Sequence, residues 1–194
     1  TAEIVGPRAQ GKFGFSEASF SWSGNVADIR YQVSLVLAPS ETTWFWHVTL
    51  THSGTEKLPA DLVLVQDIGL GDRGFLMNSE AYASQYVDHH IAQHPVFGPV
   101  VMNRQNLKQG GGRNPWLAQG CLEGVSAYAT DAIQLVKSAA ANDDRLVGPF
   151  GTDLPSQRRQ HEMACPALQS KPLAVSAEGV TASFFGLFLN DHQA

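Results

Sequence analysis

Apolar residues recur at every second position in several stretches of this chain, and this alternation limits its fold more than any other feature. From Ile29 to Leu37 the odd positions are apolar, and polar residues stand between most of them. From Thr43 to His52 the even positions between Trp44 and Leu50 are all apolar. Successive side chains of an extended chain point to opposite faces, so a period of two is typical of half-buried β-strands. Both stretches are therefore predicted to be strands.

Other strand-like segments lie elsewhere in the chain, and turn-forming residues separate them. Glu17 to Ser23 alternates, and Gly24-Asn25 after it predicts a hairpin turn. Leu62 to Ile68 is a nearly continuous apolar run, which indicates a strand covered on both faces. Further strands are predicted over His89 to Gln93, Pro99 to Asn103, Trp116 to Gly124, Ser126 to Val136, His161 to Leu168, Leu173 to Ala177 and Val180 to Leu189.

Helical character is limited to short segments. Ser79 to Val87 starts with a residue suited to capping and continues with tolerable helix formers, which predicts a short helix. Ala127 to Lys137 also fits a helix because of its alanine content. Lys108 to Pro115 is interpreted as a plain glycine-rich loop, and Ala139 to Arg159 as a long loop or lid. Many strands with one or two short helices predict a mainly β fold, a large antiparallel β-sandwich.

The composition argues against several classes of partner. With 18 acidic and 13 basic residues the net charge is -5, so the chain lacks the basic surface that a nucleic-acid backbone requires. No apolar run approaches the roughly 20 residues that cross a bilayer, and the first residues do not resemble a signal peptide. Cys121 and Cys165 show no CxxC spacing, which favours reduced structural thiols in a cytoplasmic protein.

Polar and aromatic residues are most concentrated between Leu76 and Asn106. If Tyr82 and Tyr86 lie on a helix, both rings project from one face, because they are four residues apart. Amide, imidazole and guanidinium groups beside flat rings suit the hydroxyls and the apolar face of a sugar. The alternative is that these side chains close the rim of the core without binding a ligand. The segment contains Asn78, Glu80, Tyr82, Gln85, Tyr86, Asp88, His89, His90, His94, Arg104, Gln105 and Asn106.

Three histidines in this segment, His89, His90 and His94, raise the question of a metal site. Adjacent side chains of an extended chain point to opposite faces, and no HExxH spacing occurs, so we expect no metal. The acids Asp67, Asp72, Glu80 and Asp88 are interpreted as solvated loop acids rather than as the carboxylate pair of a glycosidase.

Arg104 has two interpretations that the residues leave open. It can form part of a clamp for a sugar or a phosphate, or it can brace a loop by pairing with a carboxylate.

Five runs of residues resemble a known family. They are QDIGLGDRG, NSEAYASQYVDHH, HPVFGPVVMNRQN, WLAQGCLEG with ATD after it, and ALQSKPL with FFGLF near the end. In this order they resemble the N-terminal β-sandwich region of 1,2-β-oligoglucan phosphorylases and, more loosely, that of cyclic β-1,2-glucan synthases and cellobiose phosphorylases. The resemblance extends from about Glu17 to Asn190.

The resemblance implies a large antiparallel β-supersandwich of the galactose-mutarotase-like kind, followed in the longer enzyme by a catalytic barrel of helices. It implies that residues 1–194 are a single N-terminal β-sandwich domain without the catalytic acid. The longer enzyme would cleave β-1,2-glucooligosaccharides with inversion, using inorganic phosphate as co-substrate and no cofactor, and would release α-glucose 1-phosphate. The domain would pack against the barrel, within one chain or across a homodimer. The expected sugar contacts are Asn78, Tyr82, Gln85, Tyr86, His89 and Arg104, in binding and not in proton-transfer roles.

Two other functions are considered beside this one. The chain can be a freestanding carbohydrate-binding module with no catalytic partner. It can also be a mutarotase-like enzyme that uses His89 or His94 as acid or base together with Glu80 or Asp88. Binding of β-1,2-glucans by the chain alone would favour the first, and sugar mutarotation the second.

Overall fold

The computed structural model describes residues 2–136, 152–160 and 163–192. Its elements are β1 (Lys12–Phe15), β2 (Ser19–Val26), β3 (Ile29–Leu37), β4 (Thr43–His52), β5 (Leu58–Ala60), β6 (Val63–Val65), α1 (Arg73–Gln85), β7 (Val87–His94), β8 (Gly98–Gln105), β9 (Trp116–Cys121), β10 (Val125–Asp131), α2 (Ala132–Val136), β11 (Ala164–Ser170), β12 (Leu173–Val175) and β13 (Val180–Leu189). The expectation of a mainly β antiparallel sandwich with one or two short helices is confirmed.

The strands form one large sheet and two small ones. The large sheet has eight strands in the order β1-β2-β3-β4-β13-β9-β8-β7, and all neighbours are antiparallel. The small sheets have the orders β10-β11-β6 and β12-β5. We call the side of the large sheet that faces the small sheets its inner face, and the opposite side its outer face.

The main core lies between the two layers. Val33 and Val48 of the large sheet, paired across β3 and β4, share one buried cluster with Leu168 and Val175 of the small sheets. Phe184 of β13 is 2% exposed in the same cluster. The alternation found in the sequence is thus the alternation between the inner and the outer face.

The strand predictions succeed where the period of two is regular. The predicted bounds of β3, β4 and β13 coincide with those of the structure. The apolar run from Leu62 to Ile68 is a different case, because only Val63–Val65 forms a strand and Val65 is 43% exposed. The prediction of a strand covered on both faces is therefore wrong.

The hairpin turn expected at Gly24-Asn25 is also misplaced. β2 continues through both residues to Val26, and the turn lies at Ala27 and Asp28, where Ala27 has φ 48°. Gly24 is paired with Tyr31, and a Cβ atom on Gly24 would lie 2.6 Å from the Tyr31 hydroxyl oxygen. This glycine makes room for a buried ring within a strand and does not form a turn.

The first helix is longer than predicted. α1 begins at Arg73, six residues before Ser79, and Ser79 interrupts it with φ −154° and ψ 46°. The second helix, Ala132–Val136 within the described residues, begins later than predicted, because Val125–Asp131 pairs with β11 as a strand. Of the loop predicted over Ala139 to Arg159, the structure describes residues 152–159, which are mostly irregular, and the rest lies outside the described residues.

An exposed aromatic patch lies where the inner face extends beyond the covering sheets. Phe13, Phe15 and Phe20 on β1 and β2 are 57%, 78% and 47% exposed. The ring of Phe13 lies 5.3 Å from that of Trp22, which in turn lies 5.5 Å from Trp46 at the edge of the core. The patch therefore continues the hydrophobic core to the protein surface.

Candidate functional site

Two tyrosines form the most distinct feature of the predicted site. Tyr82 on α1 and Tyr86 at its C-terminal cap have their hydroxyl oxygens 2.9 Å apart and their rings 5.0 Å apart at 62°. Phe75 lies edge-on to Tyr82 at 6.3 Å. The four-residue spacing thus brings both rings to one face of the helix, as predicted.

The hydrogen bond to Tyr82 raises the pKa of Tyr86 above its usual value of 10.0. The raised pKa keeps the Tyr86 phenol neutral around pH 7, and each phenol can donate a hydrogen bond to a sugar hydroxyl or accept one from it. This is hydrogen-bonding chemistry suited to a sugar, not the chemistry of a proton shuttle near neutrality.

Arg104 stands on the outer face, two residues before Asn106, whose N–H donates to the Tyr86 carbonyl oxygen. It lies opposite Asp88 on β7 and opposite Trp116 on β9. Its Nε donates to the His192 carbonyl oxygen at 3.0 Å, and its Nη1 donates to Asn106 Oδ1 at 2.5 Å. The guanidinium therefore braces the C-terminal segment at one edge of the site.

His89 lies on the other side of the same sheet. It is 3% exposed, and its Nδ1 lies 2.7 Å from Asn103 Oδ1. Since the amide nitrogen of Asn103 already donates to the Leu117 carbonyl and to Gln119 Oε1, its oxygen is the acceptor and His89 Nδ1 carries the proton. Burial lowers the pKa of His89 below 6.5, so this imidazole is neutral at pH 7.

The backbone of His89 is held at the free edge of β7. Its N–H donates to Gln160 Oε1 at 2.7 Å, and its carbonyl accepts from Arg158 Nη1 at 3.1 Å. Gln160 also donates to Asp88 Oδ1. Residues of the described 152–160 segment thus protect an edge strand whose backbone groups would otherwise be free to pair with another chain.

The six predicted contacts are not brought to one place. Arg104 is on the outer face and His89 is buried on the inner face. Helix α1, which carries Tyr82, packs toward the inner side, where Gln105 Nε2 donates to the Ala83 carbonyl oxygen and the Ala164 N–H donates to Ser84 Oγ. Asn78 is exposed and its Nδ2 donates to the Gly74 carbonyl oxygen at 2.8 Å within α1. Gln85 is exposed at the end of α1.

The carboxylates expected to be loop acids have structural partners or stand apart. Asp72 Oδ2 accepts the Gly110 N–H at 2.8 Å, so it ties the glycine-rich loop to the start of α1. Asp88 and His89 are adjacent in an extended strand and point to opposite faces. An acid–base pair formed from these two residues is therefore not assembled.

The described residues contain no group of three or more His, Cys, Asp or Glu side chains placed to hold a metal ion. Cys121 and Cys165 are free thiols. Burial raises the pKa of Cys121 to about 11 and that of Cys165 to about 12, so neither is a reactive thiolate at neutral pH. Nor is any helix within the described ranges long and apolar enough to cross a membrane.

Sequence reasoning missed two groups that shape this region. His192 and Trp116, whose rings are 5.3 Å apart, come next to Arg104 only because β8 and β9 pair. Asn103 and Gln119 join His89 in a buried polar chain that ends at Gln66. In the sequence, the amide residues at inward positions of otherwise apolar strands could have indicated this buried hydrogen-bonded network.

Comparisons with known proteins agree with the architecture. The family model of the SOGP N-terminal domain matches residues 1–186. A 1,2-beta-oligoglucan phosphorylase from Listeria innocua serovar 6a is 32% identical over 158 residues, which are 81% of this chain and 14% of the relative. The chain therefore spans about one seventh of the length of this curated relative.

A solved structure shares the fold. A polysaccharide lyase matches with a TM-score of 0.52 and 12% identity, covering 89% of this chain and 22% of the lyase chain. At this identity the likeness concerns the fold alone.

Proposed function

This chain belongs to the family of SOGP N-terminal domains, and from this premise we propose that it is the sugar-binding and assembly domain of a longer inverting glycoside phosphorylase. The longer enzyme acts on β-1,2-glucooligosaccharides and inorganic phosphate and releases α-glucose 1-phosphate. The domain itself, residues 1–194, is not catalytic, and it works in the cytoplasm beside a helical catalytic domain.

One observation carries this proposal. The similarity to a 1,2-beta-oligoglucan phosphorylase covers 81% of this chain but only 14% of that enzyme. Most of such an enzyme is therefore available to hold the proton donor and the phosphate site that inverting phosphorolysis needs.

The exposed aromatic patch supports the assembly role. Contiguous exposed apolar surface marks an interaction site, and Phe13, Phe15 and Phe20 form such a surface. A catalytic domain packed on this patch, in the same chain or in a homodimer, would remove the three rings from water.

The tyrosine pair and Arg104 are the proposed sugar contacts, with Asn78 and Gln85 beside them on α1. The phenols and the guanidinium offer directional hydrogen bonds, and the Tyr82 ring, 49% exposed, offers a flat face. His89 has an indirect role: its hydrogen bond to Asn103 holds β8 in place one residue before Arg104.

The catalytic half of the proposal is tested by an assay of glucose 1-phosphate. Purified chain is incubated with β-1,2-glucooligosaccharides and inorganic phosphate, and the Listeria innocua enzyme serves as the positive control. We expect no glucose 1-phosphate from this chain. Phosphate-dependent release by the chain alone would refute the assignment of catalysis to another domain.

The sugar-binding half is tested in the longer enzyme with Tyr82→Ala. We expect KM for the oligoglucan to rise about tenfold, the effect of one lost stacking or hydrogen-bonding contact, with little change in kcat. Met77→Ala, which removes a 75% exposed side chain from the same helix, is the control. Unchanged kinetics in Tyr82→Ala would reduce the tyrosine pair to scaffold.

A further inference from the structure

The outer face of the large sheet carries a row of aromatic rings that the proposed site does not use. Phe45 and His47 on β4 stack at 5.7 Å and 8°, and Phe45 is paired with Phe185 on β13. Phe185 lies 5.7 Å from Phe97 in the turn after β7, and Phe97 stacks on His94 at 4.3 Å and 16°. We call these five residues the aromatic row.

The sheet itself holds the row in place. Phe185 lies over Gly120, where a Cβ atom would come within 2.7 Å of the ring. The row crosses from β4 over β13 and β9 to the β7–β8 turn. At the usual spacing between strands, three steps span roughly 14 Å. A surface of this length accommodates a chain of several sugar rings, not a single small molecule.

Hydrogen-bonding groups accompany the row. His47 Nδ1 lies 2.9 Å from Ser183 Oγ. His94 Nδ1 lies 3.3 Å from the Val96 N–H and 3.2 Å from the Phe97 N–H. Because Nδ1 accepts these bonds, the ring N–H is at Nε2, which is left as a donor.

The part of this face formed by β2, β3, β4 and β13 is mostly polar and almost without charge. Along β2, β3, β4 and β13, all within the described residues, Arg30 is the one charged side chain at an outward position. A shallow groove of about 160 Å³ is lined by Arg30, Tyr31, Gln32, Thr49 and Thr51. It is smaller than the roughly 300 Å³ of an enclosed small-molecule site, so this face offers an open surface and not an enclosed pocket.

We propose that this outer face binds an uncharged glucan chain, whose sugar rings stack on the aromatic row and whose hydroxyls bond to the Ser, Thr, Gln and His side chains beside it. A flat apolar row next to uncharged hydroxyl and amide groups matches a polyhydroxylated ligand, and it offers little to a charged one. The choice of β-1,2-glucan as ligand rests on the proposed function. The row lies about four residues along β9 from Trp116 and Arg104, so it is a second surface on the same side.

Nuclear magnetic resonance titration of this chain with β-1,2-linked glucooligosaccharides tests the proposal, with a cello-oligosaccharide to report linkage preference. We expect backbone shifts at Phe97, Thr181, Ser183 and Phe185 as sugar is added. Shifts confined to the region of Tyr82 and Arg104 would overturn the aromatic-row proposal and leave the proposed function standing. No shifts at millimolar sugar would overturn it as well.

Two variants sharpen the result. Phe185→Ala should weaken binding about tenfold, as expected for one lost aromatic stacking contact. Phe13→Ala, which removes an exposed ring from the opposite face, should bind as the parent chain does. If Phe185→Ala is not folded, the shift map decides alone. Equal affinities in the two variants, or a dimer that Phe185→Ala dissociates, would show that the row is not a sugar surface.

Discussion

At the scale of single residues, His89 makes this fold sensitive to pH. Its imidazole is neutral and buried. Protonation would place a charge in the protein interior, next to the buried side chains of Asn103 and Gln119. Its pKa is lowered in the folded protein below the value of 6.5, chiefly by burial. The unfolded chain therefore binds this proton more readily than the folded chain does.

We expect the contribution of neutral His89 to the free energy of unfolding to be complete above about pH 6.5. The free energy of unfolding should fall as the pH drops below that value. The contribution of one such group is at most about 1.4 kcal/mol per pH unit. Urea unfolding of the parent chain, His89→Gln and His90→Gln between pH 5 and 8 measures it. His90 is exposed, so its variant should keep the acid-dependent loss, whereas His89→Gln should reduce it. The same pH dependence in all three proteins would rule out His89 as the source.

Among the elements, β2 and β3 depend on a glycine that looks like a turn residue in the sequence. Gly24→Ala places a methyl group 2.6 Å from the hydroxyl oxygen and 2.8 Å from the ring carbon Cζ of Tyr31, which is 2% exposed. We expect a loss of about 1–3 kcal/mol, the usual cost of overpacking a core. Gly14→Ala on β1 meets only Ser21 Oγ at 3.0 Å and should be nearly neutral. Denaturant midpoints at constant m-value measure the stability of both variants. Equal stabilities would mean that the Tyr31 ring moves aside without cost.

This glycine also shows why part of the fold was predictable and part was not. β3 and β4 turn one face toward the core over most of their length, so their period of two is visible in the sequence. The role of Gly24 depends on Tyr31 across the hairpin, and the short β5 is defined by its pairing with β12. Such partners are set by pairing between strands, and local composition does not report them.

The same limit applies to the candidate site. The i, i+4 spacing predicted the tyrosine pair because a helix alone determines it. The separation of His89 from Arg104 follows from the register of β7 on β8, in which His89 opposes Asn103 and Asp88 opposes Arg104. The sequence showed which residues of β8 share a face. It did not show which residues of β7 lie opposite them.

Across the whole molecule, the two faces of the large sheet present different surfaces. The inner face is covered by the small sheets over β4 and β13, and it ends in bare phenylalanines on β1 and β2. The outer face is mostly polar, with the aromatic row and Trp116 on it. The function proposed above assigns packing on a catalytic domain to the inner side and sugar binding to the outer side, and it requires two such different surfaces.

The exposed aromatic patch should therefore make the isolated chain associate with itself. In water the three rings gain free energy by pairing with another apolar surface, and a second copy is the nearest one available. Sedimentation velocity over a range of concentrations should show reversible association that Phe13→Ser combined with Phe15→Ser abolishes. Val96→Ser removes a side chain that is 60% exposed at the β7–β8 turn, and it should leave the association unchanged. A parent chain that stays monomeric at its highest soluble concentration would argue against the patch as an assembly surface. Association lost equally in the Val96 variant would place the contact elsewhere.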